Sequence, residues 1–340
     1  MAYSSSRTAI VILNWNGQRY LQQFLPSVLA NSSGCDVIVA DNASSDDSIV
    51  YLEQHFPKVR IIRHTQNFGF CEGYNLALQQ VDADYYVLLN SDVEVTPGWV
   101  APIVAMLDAD QSIAAVQPKI NAQQHPDFLE HAGAAGGMID TLGYPFCRGR
   151  LFETVEEDRG QYNDVQEIFW ATGACMFVRA KLYHELGGLE PAFFAHMEEI
   201  DFCWRAKNAG YKIMYNGNSQ VYHVGGGTLH KSNPRKTYLN FRNGLALLYK
   251  NLPGSELIPT IVLRILLDWL AAFRMVLAGQ TADARAVMDA HADILRNSSY
   301  WRKRRKAQQP KGNFARMAGV YKGSIVWEYF VRQKRTVREL

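Results

Sequence analysis

Short apolar runs alternating with helical patterns restrict the first 120 residues of this 340-residue chain to one class of fold. TAIVILNWN (Thr8–Asn16), DVIVAD (Asp36–Asp41), VRIIRH (Val59–His64) and YYVLLN (Tyr85–Asn90) read as strands. Helical patterns separate or follow them, over Gln18–Ala30, up to Gln54, over Glu72–Gln80 and over Gly98–Leu107. Strands that alternate with helices of ten to fifteen residues imply βαβ units, hence an α/β fold with a mostly parallel central sheet flanked by helices. Asn121–Asp164 is richer in Gly, His and Pro, and reads as an excursion with short strands of its own. Ala171–Ala180 resumes strand character, Lys181–Gly188 is a short helix closed by glycine, and Glu198–Asn208 is a helix ended by Gly210. YKIMYN and QVYHVGG read as two more short strands, and the pattern from Pro234 onward is helical.

A polar cluster follows each of the first four strands. These are Asn14–Gly17, Asp41–Ser45, Asn67–Asn75 (NFGFCEGYN) and Asn90–Ser91–Asp92. Turn chemistry explains any one of them. Four in register point instead to a crevice beyond the carboxyl ends of the strands, where open α/β sheets bind ligands. Neither G-x-G-x-x-G nor G-K-[ST] follows the first strand, so the dinucleotide fingerprint and the P-loop are absent.

The five cysteines are scattered without a C-x-x-C pair, which argues against a disulfide framework or a zinc ribbon. With no apolar leader at the start, a reducing cytoplasm is the expected setting. The net charge of +2 conceals an asymmetry: from Arg296 on there are 13 Lys and Arg against 2 Asp and Glu, leaving 22 and 31 before it. An acidic body with a basic tail suits a partner with an anionic surface.

VILNWNG, VADNASSDDS, NFGFCEGYN, LLNSDVEV and FFAHMEEIDFCWRAKNAGYKI, in this order, resemble family 2 glycosyltransferases of the GT-A fold, in particular their rhamnosyltransferase-like subset. The resemblance runs from about Ala9 to Leu252. It implies an inverting enzyme that transfers a hexosyl or rhamnosyl group from a nucleotide-diphosphate sugar, with dTDP- or UDP-sugars favoured. It places Asn14, Asn16, Asp41, Asn67, Gly69, Gly73, Asn75, Asn90 and Ser91 at the donor. The family's D-x-D metal motif falls on Asn90–Ser91–Asp92. Asn replaces the first Asp, which leaves Asp92 as ligand to a divalent Mg or Mn ion. His223 is the counterpart of a histidine that completes the metal site in several members, although a histidine in an apolar strand also serves as a satisfied core residue. His230, Lys231 and Arg235, from the loop after it, lie where a diphosphate is covered. Trp170, Thr172 and Gly173, with Glu198, fall where the acceptor pocket begins, and Trp170 fits a core position equally well.

Inverting transfer needs a general base at the acceptor hydroxyl. The acids of MEEIDFCWR (Met197–Arg205) offer Glu198, Glu199 and Asp201. Asp201 and Arg205 form an i,i+4 pair, a sufficient structural role. The family's base is the second acid of a Glu-Asp pair, which is Glu199 here. Glu in place of Asp keeps Glu198 open as the alternative.

LIPTIVLRILLDWLAAFRMVLAG (Leu257–Gly279) has the length of a membrane span, but Arg264, Asp268 and Arg274 oppose one. These three fall within about 120° on a helical wheel, leaving a broad apolar face. That pattern fits an interfacial helix or one packed on the body. WRKRRK (Trp301–Lys306) reads as a patch for anionic lipid, or as a solvated basic stretch. No nucleic-acid recognition motif accompanies it.

Residues 1–252 are expected to form the GT-A nucleotide-sugar-binding and catalytic domain, and 253–340 a basic helical extension that associates peripherally with the inner face of the cytoplasmic membrane. The expected acceptor is a glycan or polyprenyl-linked sugar of cell-surface polysaccharide synthesis. A non-catalytic nucleotide-sugar binder of the same fold is the alternative. A nucleotidyltransferase requires a glycine- and basic-rich phosphate loop that NWNGQRYLQQF does not resemble.

Overall fold

The computed structural model describes residues 7–225, 233–310 and 312–340. The chain begins with β1 (Thr8–Asn14), α1 (Gln18–Asn31), β2 (Asp36–Asp41), α2 (Ser48–His55), β3 (Arg60–Arg63), α3 (Gly69–Leu78) and β4 (Tyr85–Asn90). β5 (Val93–Val95), α4 (Ala101–Ala109) and β6 (Ile113–Ala122) follow. The excursion holds β7 (Gly137–Asp140), β8 (Pro145–Cys147), β9 (Arg150–Leu151) and β10 (Thr154–Val155). β11 (Val165–Ile168), β12 (Cys175–Arg179), α5 (Ala180–Glu185), α6 (Glu198–Asn208) and β13 (Lys212–His223) complete the main sheet. The remainder comprises α7 (Pro234–Asn251), α8 (Gly254–Leu277), α9 (Thr281–Arg296), α10 (Ser298–Gln308), β14 (Val320–Tyr321) and α11 (Ile325–Phe330).

The central sheet is mixed, in the order β11-β13-β6-β12-β4-β1-β2-β3, with β5 also on β13. β3, β2, β1 and β4 run parallel, and β12 joins them antiparallel to β4 and β6. Alternate residues feed opposite faces, as strand geometry requires. Ala9 and Val11 join Tyr86, Leu88 and the helices α3 and α6 in one core, while Ile10 and Ile12 join Val87, Leu89, α1 and α4 in the other. Burial on both faces is why Tyr85–Leu89 is an unbroken apolar run.

The two short strands expected at YKIMYN and QVYHVGG are one, β13. It shifts register against β6 between Asn216 and Gln220 and continues to His223. The polar Asn216–Gly217–Asn218 stretch that suggested a break is that irregularity, and Gly217 there lies against the backbone of Tyr162–Asp164. The helical pattern expected after Pro234 ends at Gln308. Beyond it β14 pairs with β7, extending the small excursion sheet β10-β9-β8-β7-β14.

Inside WRKRRK, Trp301 is buried, Arg304 pairs with Glu190 at 2.7 Å, and Arg305 donates to the Tyr249 and Leu252 carbonyls. Two of the five cations in this stretch are therefore spent within the protein, while Arg302, Lys303 and Lys306 are exposed. Arg264 and Asp268 also face inward. Arg264 Nε lies 2.9 Å from Asp268, its guanidinium covers the Tyr144 ring at 3.9 Å, and it donates to the Gly143 carbonyl.

A buried ionic cluster ties the C-terminal helices to α6. Lys250 Nζ, fully buried, lies 2.6 Å from Glu190 and 2.9 Å from Asp201. Asp201 also accepts from Arg205 Nε at 2.9 Å and Asn251 Nδ2 at 2.8 Å. Glu190 also accepts from Tyr300 and Arg304. Burial opposes ionisation of both carboxyls, but Lys250 together with Arg205 and Asn251 at Asp201, and with Tyr300 at Glu190, outweighs it, and Asp201 is held down at about 2.

Candidate active site

Strand register gathers the polar clusters on one edge. Asn14 is level with Asp41 across β1 and β2, and Leu13 with Asn90 across β1 and β4. Asn14 Nδ2 donates to Asp41 Oδ1 at 3.0 Å and to Ser44 Oγ at 3.1 Å, and Ser44 N donates to Asp41 Oδ2. Asn16, in the left-handed region, accepts from Ser45 N at 2.7 Å. The next turn is drawn in close: a Cβ on Gly17 would lie 2.4 Å from Asn14 Oδ1 and 3.4 Å from Ser91 Oγ. Asn14 Oδ1 is buried without a hydrogen-bond partner.

The third cluster is spent mainly on construction. Asn67 Oδ1 accepts from Asn42 Nδ2 and Gly69 N. Asn75 accepts from Leu189 N and Tyr183 Oη and donates to Leu189 O, bracing the loop that leads to α6. Gly73 lets α3 approach Leu13 and Asn42. Gly69, at φ +76°, leaves room for the Phe194 ring, which any Cβ would meet at 2.5 Å.

At the tip of β4 the pairing of β5 with β13 sets Val93 opposite His223. His223 Nε2 lies 3.1 Å from Asp92 Oδ1 and 3.4 Å from Asn90 Nδ2, and its Nδ1 lies 3.4 Å from Glu130 Oε2. All three acids and bases of this row are buried. Burial disfavours the charged imidazole, but Asp92 and Glu130 outweigh it and raise its pKa to about 10. Among the described residues no three His, Cys, Asp or Glu side chains form a closed metal cage. Asp92 would offer a carboxylate oxygen to a cation, and His223 Nε2, 3.1 Å away, an imidazole nitrogen once the cation displaces the proton that Asp92 and Glu130 hold there. Glu130, behind the ring, is placed like the carboxylate that orients a ligating histidine. This donor set fits a divalent ion that completes its shell with ligand oxygens and water.

The second group sits at the start of α6. Phe194, His196 and Met197 all have positive φ, at 64°, 70° and 71°. Asn243 Nδ2, from α7, holds this strained entry by donating to the carbonyls of Phe193, Ala195 and His196 at 2.8–3.0 Å. Phe70 N donates to Phe194 O, so the segment is pinned to α3 as well. Arg235 lies over the Phe194 ring at 5.0 Å, whereas His230 and Lys231 lie outside the described residues. Glu198 is buried and Glu199 partly so, and one oxygen of each lacks a partner. Burial, and then Glu199, raises Glu198 well above the carboxyl range, while burial raises Glu199 to about 7. Burial thus holds both acids above the ordinary carboxyl range, and the adjacent pair titrates as a unit.

Of the expected acceptor residues, Thr172 is buried with its N–H donating to Gln117 Oε1, and Gly173 lies beside the Phe70 ring. Trp170 takes the core alternative: it is buried, Nε1 donates to Met138 O at 2.8 Å, and Gly137 lies against its ring. Sequence reasoning missed Glu130 and His196. Glu130 lies in an aperiodic stretch without a motif. His196 stood beside the glutamate pair, where adjacency was the only available signal. Its Nε2 is buried without a partner, and burial, reinforced by Lys236, lowers it to about 4.

A groove of about 790 Å³ at the amino ends of β2 and β3, lined by Cys35, Asp36, His55 and Lys58, contains none of these residues.

The family model for glycosyl transferase family 2 matches residues 9–187, just over half of the chain. The chain belongs to family 2 of the glycosyltransferases. This glycosyltransferase is 27% identical over 238 residues to the N-acetylglucosaminyl-diphospho-decaprenol L-rhamnosyltransferase of Mycobacterium tuberculosis, covering 63% of this chain and 75% of that one. Its fold is shared with GalNAc-T7, solved with UDP, GalNAc and Mn²⁺, at TM-score 0.58 and 16% identity over 72% of this chain and 49% of that longer one. It is also shared with the mannosyltransferase PcManGT of Pyrobaculum calidifontis, solved with GDP-Man and Mn²⁺, at TM-score 0.53 and 12% identity over 90% and 85% of the two chains. The GT-A architecture and the family's chemistry, inverting sugar transfer from a nucleotide-diphosphate donor to a hydroxyl, therefore apply to this glycosyltransferase.

Proposed function

We propose that this glycosyltransferase moves a rhamnosyl or other hexosyl group from a dTDP- or UDP-sugar to a hydroxyl of a polyprenyl-diphosphate-linked or glycan acceptor during cell-envelope polysaccharide synthesis. The observation that carries this reading is the pair of glutamates opening α6, each with one buried oxygen that has no partner and each raised by burial above the ordinary carboxyl range. The lipid-linked acceptor is suggested by the name of the mycobacterial relative. It calls for work at the surface of the cytoplasmic membrane.

Glu199 takes the proton of the acceptor hydroxyl as that oxygen attacks the anomeric carbon from the face opposite the diphosphate. The anomeric C–O bond breaks, and its electron pair leaves with the nucleoside diphosphate. Glu198, protonated, spares the site a second adjacent negative charge. Asp41, Asn14 and Asn16 receive the nucleoside. Asp92 and a deprotonated His223 would hold a divalent Mg or Mn ion, with Glu130 fixing the imidazole from behind. When bound, that ion supplies Lewis-acid charge against the departing diphosphate.

The experiment is nucleoside diphosphate release from UDP-, dTDP- and GDP-sugars with Mn²⁺, Mg²⁺ or EDTA, with membrane lipid extract as acceptor. One donor is expected to turn over with metal, and Asp92→Asn is expected to lose that turnover. Donor binding without turnover under every condition favours a non-catalytic binder instead. Glu130→Gln is expected to weaken Mn²⁺ binding about 10–100-fold, as loss of a carboxylate behind a ligating histidine typically does. Electron paramagnetic resonance of free Mn²⁺, in the presence of UDP, reads this directly. Unchanged affinity rules out the supporting role of Glu130.

A further inference from the structure

α8 is inverted relative to an ordinary surface helix. Its mid-helix charges, Arg264 and Asp268, are buried against Tyr144, Gly143 and His291, while its apolar residues face outward. Nine large apolar side chains, running from Ile258 through Leu266, Trp269, Leu270 and Phe273 to Leu277, are each at least half exposed. With 24 residues the helix is about 36 Å long, so the stripe is far larger than a scattered surface leucine or two. It continues onto α11: Arg274 lies over the Phe330 ring at 5.2 Å, and Trp327, Phe330 and Val331 are also exposed. No described helix is long and apolar enough to cross a membrane.

We propose that the outer face of α8, extended by α11, is a docking surface that lies in the interface of a membrane rich in anionic lipid. This deepens the reading of a lipid-linked acceptor but stands on separate observations. Charge complementarity selects the occupant. The tail from Arg296 carries 13 cations and 2 acids, and Arg302, Lys303, Lys306, Lys322 and Arg332 are exposed on it. Both of the tail's acids are engaged within the protein, Glu328 by Arg332 and Lys334, and Glu339 by the Arg335 N–H. On α8, Asp268 is buried and Glu256 accepts from Phe314 N. An exposed apolar stripe that carries the exposed Arg274 over Phe330, in a chain whose tail has a large excess of cations, gives the two signals that stable interfacial anchoring requires. A second copy meeting this face by two-fold symmetry would bring two such basic tails together, which like-charge repulsion opposes.

The test is co-sedimentation of the full chain with vesicles of phosphatidylglycerol and phosphatidylcholine, compared with phosphatidylcholine alone, together with its mass in solution. The wild type is expected to be monomeric and to sediment with the anionic vesicles. Leu266→Glu/Phe273→Glu is expected to lower the partition coefficient at least tenfold, with its unfolding midpoint and UDP binding unchanged. Brominated phosphatidylglycerol is expected to quench fluorescence in the wild type more than in Trp269→Phe. Equal sedimentation of wild type and double variant overturns the proposal, as does failure of the wild type to bind. A wild-type dimer that the double substitution converts to monomer, without vesicle binding, overturns it in favour of self-association. UDP binding in the same samples reports on the donor site separately, so failure at the membrane is distinguishable from failure of the enzymatic reading.

Discussion

Glu199→Gln is expected to lower kcat about 10²–10⁴-fold, the usual contribution of a positioned general base, while making the protein more stable at pH 8. Both effects have one cause. Burial raises Glu199 from the ordinary 4.5 to about 7, so the native state binds its proton more tightly than the unfolded chain does. Stability therefore falls as pH rises from about 4.5 to about 7, by about 3 kcal/mol. Glutamine keeps the shape and removes the charge, so the variant escapes that fall. Denaturant unfolding at pH 8 is expected to show the gain, and the gain is expected to vanish at pH 4, where wild-type Glu199 is neutral as well. A variant that is inactive but equally stable at both pH values means that the carboxylate is not strained by burial.

Lys250→Met is expected to destabilise the fold by about 3–5 kcal/mol, the cost of leaving buried charge without its partner. Glu190 and Asp201 both face Lys250 Nζ at full burial, and the substitution removes the one cation they share. Arg304 and Arg205 remain on one carboxylate each, so folding survives at reduced stability. The effect reaches function because Asp201 lies two residues after Glu199 on α6, and the cluster fixes that helix against α7 and α10. The cluster's pH dependence has the opposite sign to that of Glu199. Asp201 is depressed to about 2 from 3.8, so its contribution is complete above about pH 4 and is lost as pH falls towards 2. Urea unfolding between pH 2 and pH 5 is expected to show a steep acid loss in the wild type and a shallower one in Lys250→Met.

The strand half of the fold was legible because burial on both faces demands unbroken apolar runs, and the register then carried Asn14, Asp41 and Asn90 to a common edge. The partnership of Asp92 and His223 was accessible only by resemblance, since β13 brings together residues 131 positions apart. Glu130 was not legible, because an aperiodic excursion carries no register. Asn75, expected at the donor by resemblance, also braces the Leu189 turn, a contact 114 residues away that its motif does not announce. The helical wheel of α8 separated its charged face from its apolar one, but periodicity alone does not say which face meets the protein. That depended on Tyr144, Gly143 and His291, far apart in the chain. Likewise WRKRRK could not reveal that Arg304 has Glu190, 114 residues away, as its partner.

The measurement closest to the central claim is the pH dependence of kcat/KM for sugar transfer with the donor that turns over, for wild type and Glu199→Gln, between pH 5 and 9. The account predicts that the wild-type rate rises tenfold per pH unit to a bend near 7, where Glu199 becomes ionised, and then levels off. The glutamine variant is predicted to be slow and flat through the same bend. A wild-type rate independent of pH across this range, or an acid limb that persists in Glu199→Gln, would contradict the assignment of the base.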